Sequence, residues 1–216
     1  MIGNSVNYDK EYKENQSIWG TAKLDDSLKR YLKLLDGKNV LDLGIGEGNN
    51  SISLSNLGFN VTGIDSSKKA LDICKSNSNN IKLINDDIRN YKIAKDEFNL
   101  ILSRYALHFL HKDEVLTIVN EIKENLSVNG LVYIAVFSTS DPGNSKLYSN
   151  PNYEYVSNNI FHDKVNNTYM SYFSQPEILD LFSGFETILI SEEYSLDLGH
   201  DAPHYHGVIK YIGRKL

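Results

Sequence analysis

The stretch VLDLGIGEG at residues 40–48 decides the fold, because a short apolar run enters a cluster of three glycines there. A nearly continuous apolar run is typical of a strand that is buried on both faces of a parallel sheet. Gly44, Gly46 and Gly48 allow a tight turn and a close approach of a ligand to the backbone. The stretch therefore predicts a strand, a turn and a helix arranged around a nucleotide-like ligand.

The acidic residues around this turn separate two ligand classes. The dinucleotide pattern G-x-G-x-x-G would need its third glycine at Asn49, and Glu47 would repel a pyrophosphate at the helix N-terminus. A ligand that carries a sulfonium and an ammonium group, such as S-adenosylmethionine, would instead be attracted by Asp42 and Glu47. Asp65 ends the next apolar run, where an acid can accept both ribose hydroxyls in either class.

Apolar runs alternate with helical patterns along the rest of the chain. Helical spacing of apolar residues is found at residues 22–35, 50–58, 67–75, 115–126 and 175–182, and the further strand-like runs are FNVTGID, IKLIN, FNLILS, LVYIAVF, FETILISEEY and HGVIKYIGRK. This alternation predicts an α/β fold with a doubly wound, Rossmann-like, mostly parallel sheet of seven strands. No helix separates the last two runs, so we expect a C-terminal antiparallel hairpin with the seventh run as an edge strand.

The length of 216 residues fits a single domain over residues 1–216. Residues 138–174 are rich in Ser, Asn, Tyr and Pro with weak periodicity, which predicts an insert over the active site. Residues 1–21 carry Tyr8, Tyr12 and Trp19, which predict either an aromatic lid that folds over the ligand or a helix that packs onto the domain surface through those rings.

The composition excludes several classes of protein. A net charge of −6 offers no basic face for phosphates, so no nucleic-acid partner is expected. The single cysteine, Cys74, allows no internal disulfide, and the first residues lack the apolar core of a signal peptide. No apolar run is long enough to span a bilayer. We therefore expect a cytoplasmic protein that has no membrane partner.

The motifs resemble those of the class I S-adenosylmethionine-dependent methyltransferases. VLDLGIGEG is similar to the first motif of this family, GIDSS to its acidic second, NDDI to its third and FNLILSRYALHFL to its fourth. The resemblance runs from about residue 22 onward, and it extends weakly to enzymes labelled tellurite-resistance-like methyltransferases. It implies S-adenosylmethionine as the cofactor and places these residues around it: Trp19, Asp42, Gly44, Gly46, Asp65, Ser66, Asp87, Ile88 and Ser103. Asp42 would lie near the amino group, Asp65 on the ribose, Asp87 on the adenine with Asp86 as the alternative, and Ser103 beside the methionyl part.

Four residues are the candidates for the acceptor side. Arg104 and Tyr105 follow the fourth strand at its carboxyl end, where Arg104 suits an anion. His204 and His206, in the stretch GHDAPHYHG that also holds His200, share one face of a strand and could supply a base. Exposure on an edge strand is the other interpretation. No metal site is predicted, because a complete ligand set is not evident. His108 and His111 are expected to be ordinary helix-flanking residues.

The sequence thus predicts a methyltransferase that acts on a small-molecule acceptor, as a monomer or a homodimer. The aromatic residues of the insert could roof the acceptor pocket, and they also suit a lid packed on the domain or a dimer contact. Two alternatives stay open: a non-catalytic cofactor-binding protein with this fold, and a nucleotide-dependent oxidoreductase.

Overall fold

Residues 23–197 and 203–216 are described by the computed structural model, and they form two β-sheets with helices on both faces of the larger one. The strands are β1 (Asn39–Leu43), β2 (Asn60–Asp65), β3 (Ile81–Asn85), β4 (Leu100–Arg104), β5 (Leu131–Phe137), β6 (Tyr153–Ser157), β7 (Ile160–Asp163), β8 (Thr168–Ser171), β9 (Phe185–Asp197) and β10 (His204–Lys215). The helices are α1 (Asp26–Tyr31), α2 (Asn49–Asn56), α3 (Lys68–Asn77), α4 (Lys112–Asn125), α5 (Pro142–Leu147) and α6 (Gln175–Leu181).

The larger sheet has seven strands in the order β3-β2-β1-β4-β5-β10-β9. The first five strands are parallel, and β10 pairs antiparallel with both β5 and β9. The predicted mostly parallel sheet with a C-terminal hairpin is therefore confirmed. The order reverses between β1 and β4, which is the place where sheets of this kind bind ligands at the carboxyl ends of their strands.

The expected position of β10 at the edge is wrong, because β9 takes the edge and β10 lies inside the sheet. Val208, Ile209, Tyr211 and Ile212 are all buried, so both faces of β10 are covered. A strand that is apolar on both faces gains more from an interior position than from an edge.

Two apolar layers cover the larger sheet. On one face, α4 and α6 pack through residues such as Val119, Ile122 and Ile178. On the other, α1 to α3 pack through residues such as Leu28 and Leu54. Each fully buried aliphatic side chain stabilises the fold by about 1.5–3 kcal/mol relative to exposure.

The helix expected over residues 22–35 is shorter in the structure. Asp25 precedes α1 and its side chain accepts the backbone N–H of Ser27 at 2.9 Å, which sets the helix start. A single 3₁₀ turn, Leu32–Leu34, follows α1. None of the helices in the described ranges combines the length and the apolar character needed to cross a membrane.

Residues 138–174, predicted as an insert with weak periodicity, contain α5 and a small antiparallel sheet in the order β6-β7-β8. The strands are only four or five residues long, too short for alternation to stand out in the sequence. The hydroxyls of Thr168 and Ser171 donate to the carbonyls of Phe109 and Leu110 at 2.6 and 2.7 Å. The small sheet is therefore fastened to the loop that follows β4.

Candidate active site

The glycine turn between β1 and α2 forms the floor of the candidate site. Gly44 has a φ of +79°, and a Cβ atom there would lie 2.3 Å from the Cβ of Ala106. Only glycine lets the loop after β4 approach the turn this closely. Gly46 has a φ of +55°, and apart from its chain neighbours no atom of the described residues lies within 4 Å of the position that its Cβ would take. The backbone at Gly46 is thus accessible to a ligand.

Asp42 is the buried carboxyl group beside this turn. It is 4% exposed, and the hydroxyl of Ser51 donates to its Oδ2 at 2.6 Å. Burial raises the pKa of Asp42 to about 7; the charge of Asp65 acts in the same direction, while Ser51 and Arg104 oppose it. A buried carboxyl group of this kind is stabilised as the anion by a cation bound next to it. The side chain of Glu47 is also buried, within the same turn.

Asp65 ends β2 and connects the glycine turn to the start of α3. Its Oδ2 accepts the backbone N–H of Gly46 and its Oδ1 that of Ser67, both at 2.8 Å. The carboxylate is therefore held in one orientation, and the residue is partly exposed. Ser66, which follows it, is partly buried, and its carbonyl accepts from the side chain of Asn85 at 3.0 Å.

Asp87 is already engaged by the chain itself. Its Oδ1 accepts from the backbone N–H and the Nε of Arg89, both at 2.9 Å, and its Oδ2 lies 2.5 Å from Nη2 of the same residue. Burial raises the pKa of Asp87, but the hydrogen bonds and charge of Arg89 outweigh it, so the pKa lies below its ordinary value. An adenine amino group would have to share Oδ2. Asp86 is exposed, and Ile88 packs against the α4 side of the core.

The carboxyl end of β4 places three predicted residues in different environments. Ser103 is fully buried and its hydroxyl donates to the carbonyl of Leu43 at 2.8 Å, joining the ends of β4 and β1. Arg104 is partly buried, with its Cζ 4.6 Å above the ring centre of Tyr105. Tyr105 has a φ of +59°, a left-handed conformation that costs energy in a non-glycine residue and is concentrated at functional sites.

A chain of hydrogen bonds connects the two histidines of β10 to a residue that the sequence did not single out. His206 Nδ1 lies 2.9 Å from Oδ2 of Asp141, and His206 Nε2 lies 3.0 Å from Nε2 of His204. The side chain of Asp141 is 1% exposed and also accepts the backbone N–H of Gly207 at 2.9 Å. Asp141 is the N-cap of α5, and the sequence Asp-Pro-Gly could have marked it as a helix start.

His108 is not an ordinary helix-flanking residue, contrary to expectation, because its side chain is fully buried at the same end of the sheet. It stacks on Phe137 at 3.9 Å, and His206 stacks on Phe137 at 4.3 Å. Two rings cannot share one face of a phenyl group at these distances, so Phe137 lies between the imidazoles. Burial lowers the pKa of His108 to about 3. Its two ring nitrogens have no hydrogen-bond partner within the described ranges. His111 does flank a helix, as the N-cap of α4.

The small sheet and its neighbours bring aromatic side chains to this end. Phe161, Tyr172 and Phe173 are buried, whereas Tyr148 and Tyr155 are exposed. The predicted lid over residues 1–21, with Tyr8, Tyr12 and Trp19, lies outside the described residues, as does His200.

Comparison with known proteins shows a methyltransferase domain within this chain. Residues 40–130 match the family described as a methyltransferase domain. A curated relative from Haemophilus influenzae, the probable S-adenosyl-L-methionine-dependent methyltransferase TehB, is 34% identical over 128 residues, which are 57% of this chain and 44% of that protein. A tRNA (uracil(54)-C(5))-methyltransferase from Pyrococcus horikoshii is 27% identical over 134 residues, 49% of this chain and 33% of that protein. The chain thus spans less than half the length of these two relatives.

The fold has matches among solved structures. The crystal structure of TehB from Haemophilus influenzae superposes with a TM-score of 0.69 and 22% identity, covering 97% of this chain and 66% of that one. Residues 40–130 thus match a methyltransferase domain, and the chain is similar in sequence to S-adenosylmethionine-dependent methyltransferases and shares the fold of a solved one.

Proposed function

We propose that the protein transfers the methyl group of S-adenosylmethionine to a small-molecule acceptor. The observation that carries this proposal is the pair of carboxylates, Asp42 and Asp65, on either side of the open glycine turn. The pair lies at the carboxyl ends of β1 and β2, next to the point where the strand order reverses.

The donor side fits a cationic adenosyl ligand. Asp42 is buried, and a bound ammonium group would stabilise its anionic form. Asp65 is held in one orientation by two backbone N–H groups at the carboxyl end of β2, where a carboxylate would accept the ribose hydroxyls. Gly44 and Gly46 would line the ligand, with Ser66, Ile88, Ser103 and Trp19 around it. Asp87 would accept the adenine amino group through Oδ2, which has one contact with Arg89 where Oδ1 has two. Bound there, S-adenosylmethionine supplies a methyl group on an electrophilic sulfonium.

On the acceptor side, Asp141, His206 and His204 form a chain that suits proton removal. A carboxylate on Nδ1 of His206 fixes the tautomer of the ring and stabilises the imidazolium that forms when a proton is taken up. His204 and Tyr105 are the further acceptor-side residues. Holding an acceptor in near-attack geometry contributes on the order of 7–11 kcal/mol to lowering the barrier, so positioning outweighs proton transfer.

A small acceptor is supported by the insert and by the charge of the chain. Residues 138–174 bring α5 and the small sheet against the acceptor end, where Phe161 and Tyr172 add buried aromatic surface. The net charge of −6 disfavours a phosphate-rich acceptor. We include in the proposal a single domain over residues 1–216, a lid at residues 1–21, a cytoplasmic location and a monomeric or homodimeric state.

The donor assignment is tested by calorimetry with S-adenosylmethionine, S-adenosylhomocysteine and NAD. We expect the first two to bind and NAD not to bind. Asp65→Ala should weaken binding of S-adenosylhomocysteine by about 100-fold, since two charge-assisted hydrogen bonds are lost. Asp72→Ala, an exposed acid on α3 that pairs only with Lys68 among the described residues, is the matched control. Tight NAD binding with indifference to the other two ligands would contradict the donor assignment.

Transfer of a labelled methyl group into a cell extract, followed by sizing of the product, tests the acceptor class. We expect the label in a small molecule. Label in RNA or protein would overturn the small-molecule part, and donor binding without any transfer would favour a non-catalytic sensor.

A further inference from the structure

Arg104 is the cation at this site for which the described chain provides no carboxylate partner. The Nε of Arg104 is buried and has no hydrogen-bond partner, and Arg104 takes part in no ion pair within residues 23–197 and 203–216. The other cations nearby differ: Lys210 contacts Asp25 at 3.1 Å, and Arg89 contacts Glu114 at 2.8 Å. A partly buried guanidinium without an ion pair among the described residues favours an anionic ligand, which would meet its terminal nitrogens rather than the enclosed Nε.

The sheet register places Arg104 on the same side as Asp42. Leu102 of β4 is the partner of Asp42 in β1, and Arg104 follows Leu102 by two residues. Side chains two apart along a strand point to the same face, so Asp42 and Arg104 lie on the face that α1 to α3 cover. The positive charge of Arg104 acts to lower the pKa of Asp42, against the larger effect of burial.

The orientation of the guanidinium is restricted by its neighbours. Its Cζ lies 4.6 Å above the ring centre of Tyr105, whose own backbone N–H donates to the carbonyl of Ala135 at 2.9 Å. A planar guanidinium fixed on an aromatic face presents its remaining N–H groups as a fork that matches a carboxylate.

An α-amino acid group carries an ammonium and a carboxylate on one carbon, and Asp42 and Arg104 offer one partner for each. We propose that Arg104 binds the α-carboxylate of the methionyl part of the cofactor while Asp42 binds its α-ammonium. Arg104 is then a donor-binding residue rather than the acceptor-side residue that its sequence position indicates. The inference rests on the proposed function, because it needs S-adenosylmethionine as the donor.

The test uses two ligands that differ by the carboxylate alone. S-adenosylhomocysteine carries the amino acid group, and decarboxylated S-adenosylhomocysteine keeps the ammonium but lacks the carboxylate. The variants are Arg104→Met, Arg104→Lys and, as a matched control, Arg214→Met. Arg214 pairs with Glu186 at 2.6 Å, and its position in β10 faces the first residue of β5, at the opposite end of that strand from the site.

We expect wild-type protein to bind S-adenosylhomocysteine about 10- to 100-fold more tightly than the decarboxylated ligand, as measured by calorimetry. Arg104→Met should remove this preference by weakening only the first ligand. Arg104→Lys should retain part of the preference, because lysine keeps the charge and loses the fork. Arg214→Met should behave as wild type.

Two results overturn the inference alone: unchanged binding of S-adenosylhomocysteine by Arg104→Met, which returns the residue to the acceptor side, or equal weakening of both ligands, which indicates a structural role. If wild-type protein binds neither ligand, the proposed function fails as well. Thermal unfolding of each variant shows whether the fold is kept.

Discussion

The donor end and the acceptor end of the site are built in different ways. The donor end uses residues that follow one another closely: Asp42, the glycine turn and Ser51 lie within ten residues of chain. The acceptor end joins Asp141 to His206 across 65 residues, and it stacks His108 and His206 on Phe137. The proposed donor end is thus a local motif, whereas tertiary packing assembles the proposed acceptor end. The donor end can therefore be shared across a family while the acceptor end differs from one member to another.

The largest expected effect comes from a variant that disrupts the acceptor end and leaves ligand binding at the donor end unchanged. His206→Phe retains an aromatic ring against Phe137 and removes the proton acceptor, so methyl transfer should fall by about 10²–10⁴-fold. Binding of S-adenosylhomocysteine should stay within about twofold of wild type, since His206 lies outside the carboxylate pair. The measurements are labelled methyl transfer to the small-molecule fraction and calorimetry.

His162→Phe makes the same substitution on β7, away from the Asp141 chain, and serves as the control for the His206 variant. Asp141→Asn should also slow transfer, because an amide does not stabilise an imidazolium as a carboxylate does. Wild-type rates in His206→Phe would remove the proton-transfer role.

The second prediction tests the donor end through the pH dependence of ligand affinity. The folded pKa of Asp42 is about 7, above its ordinary value of 3.8, so without ligand the contribution of Asp42 to stability is present at low pH and lost as pH rises through 7. A cationic ligand requires the ionised form. The affinity for S-adenosylhomocysteine should therefore increase by about tenfold from pH 6 to pH 8. Calorimetry across this range measures the change, and Asp42→Asn should flatten the profile. A flat wild-type profile would count against an Asp42–ammonium contact.

The smallest expected effect is a change in the free energy of unfolding when the buried His108 is replaced. His108→Phe replaces a buried imidazole that lacks partners among the described residues, and it should raise the free energy of unfolding by about 1 kcal/mol in urea titrations. His108 has a folded pKa of about 3, so its burial costs stability as pH falls below about 6.5, and the variant should lose this acid sensitivity. His111→Phe, at the partly buried N-cap of α4, is the comparison and should not stabilise the protein. A destabilised His108→Phe would mean that the imidazole has a partner.

Features carried by contiguous residues were predictable from the sequence. The runs NVLDL and LVYIAVF are buried strands, and the turn at Gly44 follows β1 as its glycines indicate. The hairpin of β9 and β10 was predictable because no helical pattern separates their two apolar runs.

Features that depend on distant residues were not predictable in the same way. Asp141 lies in a stretch with no period and contacts β10 through space. Asp87 is a suitable acid by position, but its contact with Arg89 depends on a side-chain conformation that the sequence does not reveal. The interior position of β10 did leave a signal, since Val208, Ile209, Tyr211 and Ile212 place apolar side chains on both faces of the strand.

The interior position of β10 also affects how the protein is made. β10 leaves the ribosome after β5 and β9, yet it fills the gap between them. Until it arrives, β5 exposes an unpaired edge of apolar residues, the kind of surface that promotes aggregation of nascent chains. The same strand delivers His206 to Asp141. Closure of the sheet and completion of the acceptor end are thus one event in the biogenesis of the protein, and a chain interrupted before β10 would lack both.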